Sequence, residues 1–259
     1  MGKYKGVDTV QTITKDNAVA LADCGVSFVG RYIVPSKYSK ALTEAEASTI
    51  LSSGLCILLI YEIDTDRARK GEAQGKIDGE SVKALAYEMD VPNGTAIYFA
   101  VDYDAPTSDY PAIESYLYAA KKTVYPFKCG VYGKADLINS VKADCYMQCV
   151  AWSGGVLSKK ANIYQYEWQY GEEAQKIKKR TGVVVDMDTC DDLVSAGLWL
   201  PETKDKSLDR QIEDATNWAK SVGIVVDGMH DMGQTCLSIY NYYKVFSPED
   251  SKSESGLLS

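Results

Sequence analysis

Apolar and polar positions along the first two hundred residues form short strand-type runs separated by helical stretches. Residues 5–10, 27–34 (SFVGRYIV), 55–62 (LCILLIYE), 95–103 (TAIYFAVDY) and 128–132 (KCGVY) read as the first five strands. Residues 147–152, 162–166 and 182–186 (GVVVD) read as three more. Helices are predicted over residues 16–24, 43–54, 77–89, 111–124 and 134–143, with a last one over 191–198. Gly25 follows the first as a C-terminal stop. Thr43 and Glu46 have capping-box spacing, and Pro111 opens its helix in the first turn. Residues 63–75 make a long polar loop.

The strands are near-continuous apolar runs, as expected where both faces of a sheet are covered. Their alternation with helices argues for a parallel sheet. Eight such units in about 200 residues suit an α/β fold of the (β/α)8 TIM-barrel type over residues 1–200. A doubly wound open sheet is the alternative. It usually carries a glycine-rich phosphate turn after the first strand, where this chain has VDTVQT. After Leu200 the texture changes. A polar linker covers 201–207, a small, mainly helical C-terminal module 208–246, and residues 247–259 (SPEDSKSESGLLS) read as disordered.

Composition narrows the function. The 259 residues carry a formal net charge of −8, which argues against nucleic acid as a partner but leaves room for a neutral or mixed-charge polymer such as a polysaccharide. No apolar run approaches the ~18 residues of a membrane span, so no membrane insertion is expected. The N-terminus, MGKYKGVDTV, lacks the apolar core of a signal peptide. Seven cysteines, an odd number without CxxC, read as buried free thiols of a reducing compartment. The single histidine, His230, lies in the C-terminal module, so histidine-assisted nucleophiles and His/Cys zinc sites find no support in the barrel. No cofactor and no metal are expected. A carboxylate-bound Mg2+ or Ca2+ at the acidic rim described next is the main other use of its residues.

Acidic residues recur at predicted strand ends: Asp8 on the first, Glu62 on the third, Asp102 and Asp104 on the fourth, Asp186 and Asp188 on the eighth. In a parallel barrel these ends share one rim, where barrel enzymes keep their active sites. Each acid taken singly reads as a helix cap or a solvated loop residue; the set reads as a site. Asp102 and Asp104, two apart on an extended strand, point the same way. Crowding raises the pKa of one member of a close pair, and a protonated acid beside ionised neighbours is what glycoside hydrolysis requires. Tyr32, Tyr132, Trp152, Gln165 and Tyr166 add aromatic and amide groups suited to a sugar ring, with Asp188 as a further substrate contact.

GVDTVQ, FVGRYIVP, LTEAEASTILSSGLCILLIYE, GKIDGESVKALAYEMDVPNGTAIYFAVDYD and GVYG together resemble a glycoside-hydrolase-like barrel domain of bacterial secreted proteins and phage lysins. That domain is related to the family 25 glycoside hydrolases, the lysozymes that cleave the muramic acid linkage of peptidoglycan. The resemblance covers about residues 4–198, and its most specific part is 75–104. It implies a peptidoglycan-degrading glycosidase, a muramidase, with bacterial peptidoglycan as partner. The alternatives are a different bond specificity or a non-catalytic glycan-binding barrel. Family 25 carries Asp-x-Glu on strand four, where this chain has Asp102-Tyr103-Asp104. By position Asp104 would be the proton donor, one methylene (~1.5 Å) shorter than glutamate. Asp102 would orient the substrate or stabilise charge, Asp8 and Asp186 would match further acidic positions, and Glu62 is the alternative acid. EDATNWAKSVGIVVDG resembles a fragment of wall-associated S-layer homology repeats, so the C-terminal module is expected to bind cell wall or to mediate homo-oligomerisation. The whole suits a phage endolysin made in the cytoplasm and released through holin pores to act on the wall.

Overall fold

A computed structural model describes residues 2–201. The expected linker beyond Pro201, the helical module, the tail, His230 and Cys236 lie outside the described residues. Eight strands close into a barrel in chain order: β1 (Tyr4–Asp8), β2 (Val26–Tyr32), β3 (Cys56–Tyr61), β4 (Ala96–Ala100), β5 (Lys128–Gly133), β6 (Cys145–Gln148), β7 (Ile163–Glu167) and β8 (Asp186–Cys190). Helices α1 (Lys15–Asp23), α2 (Glu44–Ser52), α3 (Glu72–Glu88), α4 (Tyr110–Val124) and α5 (Ala135–Ser140) follow the first five strands, and α6 (Glu172–Thr181) follows β7. The polar loop after β3 contains a single 3₁₀ turn, Arg67–Lys70, and α3 starts earlier than the sequence pattern predicts.

The architecture is α/β and closed, and it departs from a regular (β/α)8 barrel in three places. β8 is antiparallel to both neighbours, β1 and β7. No helix joins β6 to β7. Residues 191–198, expected to be helical, are turns built around Asp192, whose side chain accepts from Ser195 N–H at 2.7 Å. The direction of β8 has a local cause. The apolar run GVVV, expected to be the eighth strand, instead crosses the rim. Thr9 Oγ1 donates to Val184 O at 2.7 Å, and Val184 N–H donates to Gln11 Oε1 at 2.6 Å. The chain therefore enters β8 at the rim and descends.

Strand pleating divides the core in two. One parity of residues (Phe28, Leu58, Ile60, Tyr98, Met147, Ile163 and Cys190) fills the lumen. The other parity (Val29, Ile57, Leu59, Ile97, Phe99 and Val131) packs outward against the helices. The segment after β8 closes the floor. Ala196 and Leu198 join the lumen cluster, Tyr98 Oη donates to Ala196 O at 2.7 Å, and Trp199 bridges Ile57. Gly197 is required there: its φ is +68°, and a Cβ would lie 2.6 Å from Ala96 Cβ.

Two buried polar clusters hold loops to this frame. Arg31 donates to both carboxylate oxygens of Glu46, at 2.6 and 3.2 Å, and to Thr9 O at 2.7 Å, tying β2 and α2 to the turn after β1. Asp78 accepts from Tyr61, Arg67, Gln74 and Tyr116, which joins β3, the 3₁₀ turn, α3 and α4. Such buried charges persist only when fully hydrogen-bonded. The 63–71 loop so fixed meets the strand-four rim, where Asp102 N–H donates to Thr65 O at 3.0 Å.

Candidate active site

The inward parity that fills the lumen continues upward into polar residues. Asp8 ends β1, Tyr32 ends β2, Glu62 and Asp102 follow β3 and β4, Tyr132 lies on β5, Gln165 on β7, and Asp186 opens β8. With Trp152 and Trp168 they line a rim cleft of about 220 Å³. Because β8 is reversed, its first residue reaches the rim that the other strands reach with their last, and Asp186 pairs directly with Asp8. Gly30 on β2 makes room for Asp8, since a Cβ there would lie 2.6 Å from Asp8 Cβ.

A hydrogen-bonded chain runs through the cleft. Tyr132 Oη donates to Gln165 Oε1 at 3.1 Å, and Gln165 Nε2 donates to Asp8 Oδ2 at 2.8 Å. Asp186 Oδ1 accepts from the backbone N–H of Gln169 at 2.6 Å. Burial, reinforced by repulsion from Asp186, pushes Asp8 up to about 7 against the pull of its Gln165 hydrogen bond. Burial and then Glu62 raise Asp102, with Lys40 opposing. Asp186 is raised by burial, partly offset by Gln169 N–H. Glu62 accepts from Lys40 Nζ at 2.8 Å, and the same ammonium lies 4.3 Å from the centre of the Tyr32 ring.

Three expected site residues lie outside the cleft lining. Asp104 is 64% exposed and ion-paired to Lys134 Nζ at 2.6 Å. β4 ends at Ala100, so Asp102 and Asp104 do not share an extended strand. Tyr166 sits on the opposite parity from Gln165, donates to Glu173, and lines a separate cavity of about 410 Å³. Asp188 is fully buried. Both of its carboxylate oxygens are buried without a hydrogen-bond partner among the described residues, and burial followed by repulsion from Asp8 and Asp186 holds it well above the usual carboxylate range.

One residue that holds the cleft lining and one that belongs to it escape sequence reasoning. Lys40 comes from the loop before α2, and its ion pair with Glu62 spans 22 positions. Trp168 follows β7 in QYEWQY, where the aromatic spacing was the available signal. Trp152 has φ +54°, a left-handed conformation that is costly for a bulky residue and that clusters at functional sites. Among the described residues no cluster of three or more His, Cys, Asp or Glu side chains is arranged to hold a metal ion, and no helix is long and apolar enough to cross a membrane.

The chain is thus a closed α/β barrel with an acidic, aromatic cleft on one rim. Residues 19–194 match the Rv2525c-like, glycoside hydrolase-like domain, and the chain belongs to that family. It is 39% identical over 111 residues to FadG of Bacillus subtilis, a match covering 40% of this chain and 19% of FadG. It is 34% identical over 105 residues to YbfG of the same organism, covering 38% of this chain and 14% of YbfG. The chain thus spans less than a fifth of the length of these relatives. Among solved structures, the Tat-secreted protein Rv2525c of Mycobacterium tuberculosis in complex with L-tartrate superposes with a TM-score of 0.64 at 20% identity, covering 76% of this chain and 98% of that one. That likeness is one of fold.

Proposed function

We propose that this chain is a glycosidase of bacterial peptidoglycan, cleaving at muramic acid. The observation that carries the reading is the pairing of Asp102, a cleft carboxyl raised by burial and by Glu62, with the second acidic pair Asp8–Asp186 in one aromatic-lined cleft. Of the two strand-four aspartates, Asp102 is the better proton donor, because Asp104 is ion-paired to Lys134 outside the cleft. Asp102 gives its proton to the glycosidic oxygen as the bond from that oxygen to the anomeric carbon breaks. Asp186, oriented by Gln169 N–H, stabilises the positive charge that develops on the sugar ring. Water adds to the anomeric carbon and its released proton restores the acid. The protein works at the cell wall, reached through holin pores in the endolysin reading or by secretion, as with Rv2525c.

Mass spectrometry of digested peptidoglycan tests the reading. New reducing ends on muramic acid are expected, while reducing ends on glucosamine would assign a glucosaminidase. Asp102→Asn is expected to lower the rate at least a hundredfold, the scale of a lost general acid, and Asp104→Asn to change it by less than about tenfold. The reverse order would return the donor role to Asp104. A second reading, a glycan-binding barrel without turnover, draws on the Lys134 and Lys40 ion pairs that hold Asp104 and Glu62. Wall binding with no products supports that reading.

A further inference from the structure

The cleft is smaller than the ~300–1,000 Å³ of pockets that enclose a drug-sized ligand, so a glycan strand with one ring inside must continue over its edge. The turn at residues 168–171 forms part of that edge. Trp168 lines the cleft yet is 62% exposed, and Tyr170 is 75% exposed. Their rings stand edge to face with centroids 6.5 Å apart. Three hydrogen bonds pin the backbone beneath them. Gly171 N–H donates to Trp168 O at 2.8 Å, closing the turn. Gln169, between the two aromatics, donates its N–H to Asp186 Oδ1 at 2.6 Å and accepts from Gln175 Nε2 at 2.5 Å through its carbonyl.

We propose that Trp168 and Tyr170 form a second sugar subsite, which takes the pyranose ring next to the one held in the cleft. The inference rests on the reading of the cleft as a glycan site and adds the direction in which the strand leaves it. A pyranose offers apolar C–H faces ringed by hydroxyls. Two exposed aromatics with a phenolic hydroxyl on one of them match that surface, as aromatic residues with a polar tip do at interfaces generally. Rigid presentation lowers the ordering cost of binding. The Gln169 contact adds a consequence: a ring stacked on Trp168 loads the same turn that orients the Asp186 carboxyl. Occupancy of the subsite therefore steadies a rim carboxylate as well as adding affinity.

The test uses the full chain and peptide-free peptidoglycan glycans, a disaccharide and an octasaccharide, with affinities from isothermal titration calorimetry. Wild type is expected to bind the octasaccharide more tightly than the disaccharide. Trp168→Ala and Tyr170→Ala are each expected to remove about 3- to 10-fold of that gain, the scale of one aromatic contact. Trp168→Phe should restore most of it. Both side chains are largely exposed, so circular dichroism and melting are expected to match wild type. If wild type prefers the longer glycan and both alanine variants keep the full preference, the subsite is refuted while the glycan reading stands. If wild type binds neither glycan, both fall.

Discussion

Asp8 holds its proton to about pH 7 because it is buried and faces Asp186. The sign of the stability effect follows from linkage. The folded pKa lies above the ordinary aspartate value of 3.8, so the neutral carboxyl is fully accommodated below about pH 4. The stability it supports is lost as pH rises through about 7. Asn at this position mimics the neutral acid and cannot ionise. Asp8→Asn is therefore expected to be more stable than wild type at pH 8, by up to about 4 kcal/mol, and equal to it near pH 3.5. Thermal melts across this range check it, and a difference that does not change with pH would refute it. Asp188, fully buried on the same strand as Asp186, is itself raised by burial and by repulsion from Asp8 and Asp186. The acids themselves are legible in the sequence as strand-end residues. Their partners are not: Lys40 on Glu62, Lys134 on Asp104 and Glu46 on Arg31 meet only through tertiary folding.

At the scale of elements, α3 and α4 approach until backbone meets backbone. A Cβ on Gly75 would lie 2.1 Å from Tyr116 O, and one on Gly79 would lie 2.0 Å from Thr123 Oγ1 and 2.9 Å from Ala120 O. Gly75→Ala is expected to cost about 1–3 kcal/mol, as overpacking does. It should also displace the Asp78 cluster that fixes the 63–71 loop beside Asp102. Urea unfolding reads the first effect and the peptidoglycan digestion rate the second; an unchanged midpoint would show that the helices part without cost. The first five strands and β7 are legible because apolar parity survives in them. The direction of β8 is not, since residues 186, 188 and 190 share one face whether the strand ascends or descends. The run GVVV misleads for a related reason, as a buried rim crossing is as apolar as a strand. The end of β4 at Ala100 is equally hidden, because VDY continues a strand-like pattern while its backbone turns toward Thr65.

On the scale of the molecule, residues 1–201 form a compact unit with a closed floor and a core of their own. A chain ending at Pro201 is expected to unfold in one calorimetric transition and to digest peptidoglycan at the rate of the full chain. A broad or absent transition would show that the remaining residues contribute to the core. Wall binding of the two chains compared side by side reads the role of residues 202–259. The barrel is entered at Tyr4, paired with Cys190 at the foot of β8, and left past Trp199, paired with Ile57 near the foot of β3. Entry and exit thus share the face opposite the cleft. Chain joined at either end of the barrel is attached at the face away from the cleft. That is the geometry of a graftable module, one that can be carried within chains many times its own length without rebuilding its rim.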